Sequence, residues 1–204
     1  MVLWRLADPL LLASGSLTRR ALLTSAGIPL DVEPPRVDER AIEGVAREAG
    51  ADLGGVATAL ADAKALEVSG RRPGRLVLGA DQTLDCEGAT FHKPDDREEA
   101  GRQIAHLSGR THVLHSAVAL ARDGELLARL RDDARLTMRA LSPEAVALYL
   151  DLAGGAVTTS VGAYQLEGAG IHLFERIEGD HSTILGLPLL PVLAALREHG
   201  ALAL

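Results

Sequence analysis

The apolar run Leu10–Ala13 suits a buried strand and breaks at the small polar turn Ser14-Gly15-Ser16, after which helical periodicity runs over residues 17–26. Gly27 supplies the stop. The pattern therefore predicts a strand, a turn and a helix N-terminus in succession. Beyond a loop over 34–39, a long Ala-rich helical stretch carries Leu60, Ala61 and Lys64 and closes at Arg71-Arg72-Pro73-Gly74. Residues 76–78 then read as a central, buried strand that delivers Gly79-Ala80-Asp81-Gln82 at its carboxyl end. Ligands bind at that end of open α/β sheets, so Asp81 is the first candidate for chemistry.

A turn over 85–88 and the pair Lys93-Pro94 precede a helix over 95–107, which starts acidic and ends at Gly109. Three strand-like segments, 112–120, 125–131 and 135–139, follow as a meander, the first turn being Asp123-Gly124. Ser142 as cap with Pro143 at the first helical position opens a helix to residue 152. Segments 161–166 and 171–177 read as a strand pair, and 189–199 as a final helix ending at Gly200. The expected class is α/β with a mixed sheet.

Composition narrows the functions. A chain of 204 residues with 47% hydrophobic and 24% charged residues can bury one sizeable core, so 1–204 is expected to be a single domain. A formal charge of -7 disfavours nucleic acid as a partner, and 2% aromatic residues supply no base-stacking platform. Cys86 is the single cysteine and the sequence contains no Asn, which excludes intrachain disulfides and N-glycosylation. A reducing, cytoplasmic setting fits best. Arg5, Asp8 and Pro9 interrupt any signal-peptide core, and the most apolar stretch, 184–190, is broken by Gly186 and Pro188, so no membrane partner is expected.

Ser14 and Ser16 precede a helix N-terminus that carries Arg19 and Arg20, so amides, hydroxyls and guanidinium groups could face one anion. On that local pattern alone, an ordinary capped helix with a solvated basic turn is the commoner arrangement. Asp81 taken alone could equally be a buried carboxylate capping a turn. No Walker A loop, complete G-x-G-x-x-G, H-E-x-x-H or G-x-S-x-G occurs, and Cys86 has no basic activator nearby in sequence. His112 and His115 alternate with apolar residues and read as ordinary sheet positions.

Taken together, Leu11-Leu12-Ala13-Ser14-Gly15-Ser16-x-x-Arg19-Arg20-x-Leu22-Leu23, Val37-Asp38-Glu39, Leu60-Ala61-x-x-Lys64-Ala65, Gly79-Ala80-Asp81, Lys93-Pro94, Leu107-Ser108-Gly109-Arg110-Thr111-His112, Gly162-Ala163-Tyr164-Gln165-Leu166-Glu167-Gly168 and Gly186-Leu187-Pro188 resemble the Maf family, in order and spacing, across nearly the whole chain. The resemblance implies an elongated mixed sheet flanked by helices, similar to the inosine triphosphate pyrophosphatase-like (Maf/Ham1) fold. It also implies hydrolysis of a nucleoside triphosphate between its α and β phosphates, giving monophosphate and pyrophosphate.

By the same resemblance Asp81 is the catalytic carboxylate, Ser14, Ser16, Arg19, Arg20, Lys64 and Lys93 bind phosphate, and Glu39 joins Asp81 in holding a divalent cation. Magnesium or manganese is expected there, with cobalt a further candidate. Arg110, in a helix-exit turn, is a further candidate phosphate contact. A homodimer is allowed.

The commonest family start places an arginine where this chain has Thr18. A subgroup resembling the 7-methyl-GTP pyrophosphatases shares the later arginine pair, has Gln after the catalytic Asp and Glu before the later glycine; Gln82 and Glu167 fit it. Thr18, Gln82 and Glu167 are thus the expected specificity positions, and Glu167 is expected to be a buried carboxylate meeting the donors of a guanine edge. Thr159 and Ser160 depart from the usual Asp-Lys pair, as Thr18 does from the subgroup, leaving 7-methyl-GTP and dTTP or UTP as alternative substrates. A non-catalytic nucleotide-binding role in cell division, which the family name suggests, is a third reading. Every matched carboxylate and basic residue is nonetheless present, and such a charge cluster is costly without a ligand.

Overall fold

In the computed structural model, which describes residues 2–204, all four residues of Leu10–Ala13 are buried as strand β1. Helix α1, Leu17–Ser25, is capped by Ser16 and released by Gly27 at φ +76°. Strand β2, Leu30–Val32, which the sequence did not announce, pairs parallel with β1. The Ala-rich stretch is two helices, α2 (Glu39–Glu48) and α3 (Leu53–Arg71), each with an aspartate cap, Asp38 and Asp52. Gly50, at φ +85°, makes the break.

The strand expected over 76–78 is β3, Val77–Cys86, so Asp81 lies inside the strand rather than at its end. Gly79 continues the strand beneath α3, Asp81 is met by Lys64, and Gln82 donates to the Thr183 and Ile184 carbonyls, so none of the three ends it. β1 pairs parallel with β3 and ends at Ala13, opposite Gly79, so Asp81 still stands beyond the carboxyl end of a neighbouring strand. A hairpin adds β4, Ala89–Thr90. After helix α4, Arg97–Leu107, come β5 (Thr111–Arg122) and β6 (Glu125–Met138), joined by Asp123-Gly124 with both residues at positive φ, as a two-residue type I′ hairpin turn requires.

β6 is one 14-residue strand, not the two segments expected. Asp132 and Asp133 read as a break, but Asp132 accepts a hydrogen bond from the Thr183 hydroxyl and Asp133 pairs with His115. Helix α5, Pro143–Ala153, starts as predicted. The strand expected over 161–166 is absent: Val161–Ala163 is a single 3-10 turn with Gly162 and Ala163 at positive φ, and Tyr149 donates its hydroxyl to the Ala163 carbonyl. Its partner shrinks to β7, Phe174–Glu178, antiparallel to β6. The short α6, His181–Ile184, and α7, Leu189–Glu198, complete the chain. The strands run in the order β2-β1-β3-β5-β6-β7, a mixed sheet flanked by helices.

Two compact units partition the residues. One comprises the chain through Gln82, Ser116–Asp132 and His181–Leu204. Its core packs Leu10, Leu12, Leu78, Ala80, Val118 and Leu120 with Leu23 and Leu196, while Ala57, Ala61 and Ala65 of α3 cluster with Ala117, Ala119 and Ala121 of β5. Small side chains on both sides let helix and sheet approach closely. Glycine is required at 79, where an added Cβ would strike the Ala61 carbonyl and lie 2.5 Å from the Ala65 amide.

The second unit, Thr83–His115 with Asp133–Asp180, buries Leu84, Ile104, Leu114, Met138 and Leu173. His112 is fully buried among Tyr164 and Phe174, and its Nε2 lies 2.7 Å from the Tyr164 hydroxyl while Nδ1 has no partner among the described residues. Burial drives its pKa down to about 4. The folded state therefore resists a proton that the unfolded chain accepts near pH 6.5, so stability is full above that value and falls as acidification proceeds toward about pH 4. The slope should approach about 1.4 kcal/mol per pH unit. Denaturant titrations of wild type and His112→Ala across this range test it: the variant should be less stable at neutral pH, flatter with pH and unimpaired in turnover per folded molecule.

Candidate functional site

The site is built where β1 gives way to α1 and β3 runs on past it. Ser16 caps α1 by accepting the Arg19 amide proton on its hydroxyl, and the Ser14 hydroxyl accepts from the Ser16 amide and from Arg19 Nη1. The Leu17 and Thr18 amides in the first turn find no acceptor among the described residues. Nothing lies within 4 Å of where a Cβ on Gly15 would sit, so the turn faces open space. Unpaired amides at the positive end of a nine-residue helix are suited to an anion.

Arg19 is locked over this turn. Its Nε donates to the Gly186 carbonyl at 2.8 Å, and Nη1 to the Ala80 carbonyl at 2.8 Å and to Ser14 Oγ at 3.1 Å. Three of the five guanidinium protons are thereby used, and the two on Nη2 remain for a ligand. Burial lowers the Arg19 pKa, and the charges of Asp81 and Glu39 push it back up. Arg20, by contrast, is exposed.

Opposite stands an ion cluster centred on a buried ammonium. Lys64 lies on the α3 stripe of Ala57, Leu60, Ala61, Ala65 and Val68, which faces inward at i, i+3 and i+4 spacing. Its Nζ lies 2.5 Å from Asp81 Oδ1 and 2.8 Å from Glu39 Oε1, with the Lys64 side chain 8% exposed, Asp81 12% and Glu39 57%. A buried ammonium is tolerable only when paired, and two carboxylates pair it here. Asp81 spends one oxygen on Lys64, and its other oxygen has no protein partner among the described residues. That oxygen is available to a water or a cation.

Side chains alternate along β3, so Gln82 points to the face opposite Asp81. Its Nε2 lies 2.9 Å from Ser116 Oγ, 3.1 Å from the Thr183 carbonyl and 3.0 Å from the Ile184 carbonyl. The first unit thus gathers Ser14, Ser16, Arg19, Glu39, Lys64, Asp81 and Gln82, with Thr18 half-buried on α1. Lys93 and Glu167 belong to the second unit. Lys93 is exposed before Pro94 and has no ion-pair partner among the described residues. Glu167 is exposed in the turn over 166–168, not buried as expected, because this segment forms turns instead of a strand with one side against the core.

Sequence reasoning missed Ser116, Asp132, Thr183 and the Gly186 carbonyl. The available signal was Gly186 in the Gly-Leu-Pro motif: its φ of +90° aims a carbonyl at Arg19, and a Cβ there would come within 3.4 Å of the guanidinium.

Comparison with known proteins places the chain. No helix among the described residues is long and apolar enough to cross a membrane. A relative from Nitrobacter winogradskyi, named nucleoside triphosphate pyrophosphatase, is 54% identical over 205 residues and covers 100% of both chains. Another, from Mesorhizobium japonicum and named 7-methyl-GTP pyrophosphatase, is 52% identical over 197 residues, covering 97% of this chain and 99% of its own. A solved HAM1 protein from Coxiella burnetii superimposes with a TM-score of 0.42 at 16% identity, covering 63% of this chain and 72% of that one. The model of the Maf-like protein family matches residues 9–199, so the chain belongs to the Maf family.

Proposed function

We propose that this chain is a nucleoside triphosphate pyrophosphatase that cleaves between the α and β phosphates, releasing monophosphate and pyrophosphate. The observation that carries the reading is the convergence of Arg19, the open α1 N-terminus and the Lys64-bridged pair Asp81 and Glu39 within one unit. Full-length likeness to relatives bearing that activity in their names adds to it. In a protein of net charge -7, a polyanion needs local donors, which the Arg19 guanidinium and the first-turn amides of α1 supply beside the ion cluster. Arg19 Nη2, the Ser14 and Ser16 hydroxyls, the first-turn amides of α1 and Lys64 hold phosphate oxygens, with Arg20 and Lys93 as further cationic contacts. The free oxygen of Asp81 orients the attacking water and takes its proton.

Glu39 and Asp81 also suit a divalent cation, magnesium, manganese or cobalt. The donor set fits: two carboxylates already meet on one positive centre, each with a second oxygen to give. The described residues contain no group of three or more His, Cys, Asp or Glu able to cage an ion. Magnesium takes one or two carboxylates and fills its octahedral shell with waters and substrate phosphates. When bound, the cation neutralises phosphate charge.

Chromatography of products from a panel including 7-methyl-GTP, GTP, dTTP and UTP, with each metal and with chelator, tests the reading. A monophosphate with pyrophosphate should form in at least one case, lost on chelation; nucleoside diphosphate with orthophosphate would refute it. Arg19→Ala should lower both kcat and triphosphate affinity, each by about tenfold or more, and Lys93→Ala should weaken them less because that side chain is exposed. Unchanged kinetics in both would leave the phosphate site without support.

Base selection is assigned to Glu167, with 7-methyl-GTP as the favoured substrate and dTTP or UTP as the alternative. One relative carries 7-methyl-GTP in its name. Because Glu167 is exposed, its leverage is that of a solvated charge, about 1 kcal/mol or less. Glu167→Gln should therefore move the kcat/KM ratio of 7-methyl-GTP against dTTP by a few-fold toward the pyrimidine. A wild type that prefers dTTP or UTP, with no response to Glu167→Gln, would contradict it.

A further inference from the structure

We propose that Gln82 is a positioning residue for Arg19, acting through the segment 183–186; this rests on the phosphate role of Arg19 given above. Three acceptors surround Nε2 of Gln82, namely Ser116 Oγ and the carbonyls of Thr183 and Ile184, so the amide orientation is dictated by its surroundings. Ser116, fully buried, donates its own hydroxyl to the same Thr183 carbonyl at 2.7 Å. Thr183, also fully buried, donates its hydroxyl to Asp132 Oδ2 at 2.6 Å. The Gly186 amide closes back on the Thr183 carbonyl at 3.0 Å.

Four side chains from β3, β5, β6 and α6 therefore pin one tight turn. The turn ends in the Gly186 carbonyl, which accepts from Arg19 Nε at 2.8 Å. The other carbonyl on Arg19 is Ala80, two residues before Gln82 on the same strand. Gln82 thus ties the segment 183–186 to strand β3, so that both acceptors keep their spacing and Nη2 is held in place for a ligand. A threonine at 82 would be shorter and offer one proton in place of two.

The test uses inorganic tripolyphosphate, which has no base, as probe. Gln82→Met fills a similar volume without the amide and should weaken tripolyphosphate binding by about tenfold. Thr183→Val is nearly isosteric and cuts only the Asp132 tie; it should weaken the same binding in the same direction, and it serves if Gln82→Met fails to fold. Added to Arg19→Ala, either change should produce little further loss, because the coupled partner is already gone.

Unaltered tripolyphosphate binding in both Gln82→Met and Thr183→Val, with a loss in Arg19→Ala, overturns the positioning role alone. So do fully additive losses when either change is combined with Arg19→Ala. Unaltered binding in Arg19→Ala removes the phosphate reading itself and this inference with it.

Discussion

Asp81→Asn should lose two to four decades of turnover while folding and nucleotide binding stay close to wild type. The substitution keeps the shape and an oxygen able to accept from Lys64, whose second partner, Glu39, remains at 2.8 Å. What disappears is the negative oxygen that has no protein partner, and with it the proton acceptor; loss of a general base typically costs about 10²- to 10⁴-fold. Pyrophosphate release, triphosphate affinity and Tm measured on one preparation check it. Near wild-type turnover would mean that another group accepts the proton.

Gly79→Ala should lower both stability and activity more than any other small-to-large change on β3. Its Cβ would meet backbone, the Ala61 carbonyl and the Ala65 amide, and the Ala65 methyl at 2.9 Å, so no side chain can swing aside. Overpacking usually costs about 1 to 3 kcal/mol, and a clash with helix backbone belongs at the upper end, about 3 kcal/mol. The strain forces α3 away from β3, and Lys64 is on α3, so its 2.5 Å contact to Asp81 lengthens and turnover falls with stability. Gly70→Ala is the internal comparison: it lies in the same helix with nothing within 4 Å of its Cβ and should raise stability by up to about 1 kcal/mol. Equal, small effects at both glycines would contradict the close approach of α3 to β3.

Much of this arrangement was legible in the residues. The Ser14-Gly15-Ser16 turn, the Ser16 cap, the Asp123-Gly124 hairpin and the helix bounded by Pro143 are local choices, and local chemistry decides them. The errors lie where tertiary partners override local signals. Asp81 and Gln82 seemed to end a strand, yet Lys64 and the carbonyls of Thr183 and Ile184 satisfy them inside one. Residues 161–166 alternate like a strand, yet positive φ at Gly162 and Ala163 turns them into 3-10 structure, and Glu167 emerges exposed. The motifs matched to the family named Lys64 and Asp81, but not that one ammonium would clasp both Asp81 and Glu39. That fact depends on how closely α3 rides on β3, which the alanine stripe and Gly79 set together.

The most direct test of Asp81-dependent cleavage between the α and β phosphates is product stoichiometry in a single turnover. Wild type and Asp81→Asn would be compared on whichever triphosphate of the panel wild type consumes fastest. Wild type should yield one pyrophosphate per monophosphate with no orthophosphate, and the variant should bind the nucleotide but form neither product on the same timescale. Nucleoside diphosphate with orthophosphate from wild type, or undiminished pyrophosphate from the variant, would contradict the account.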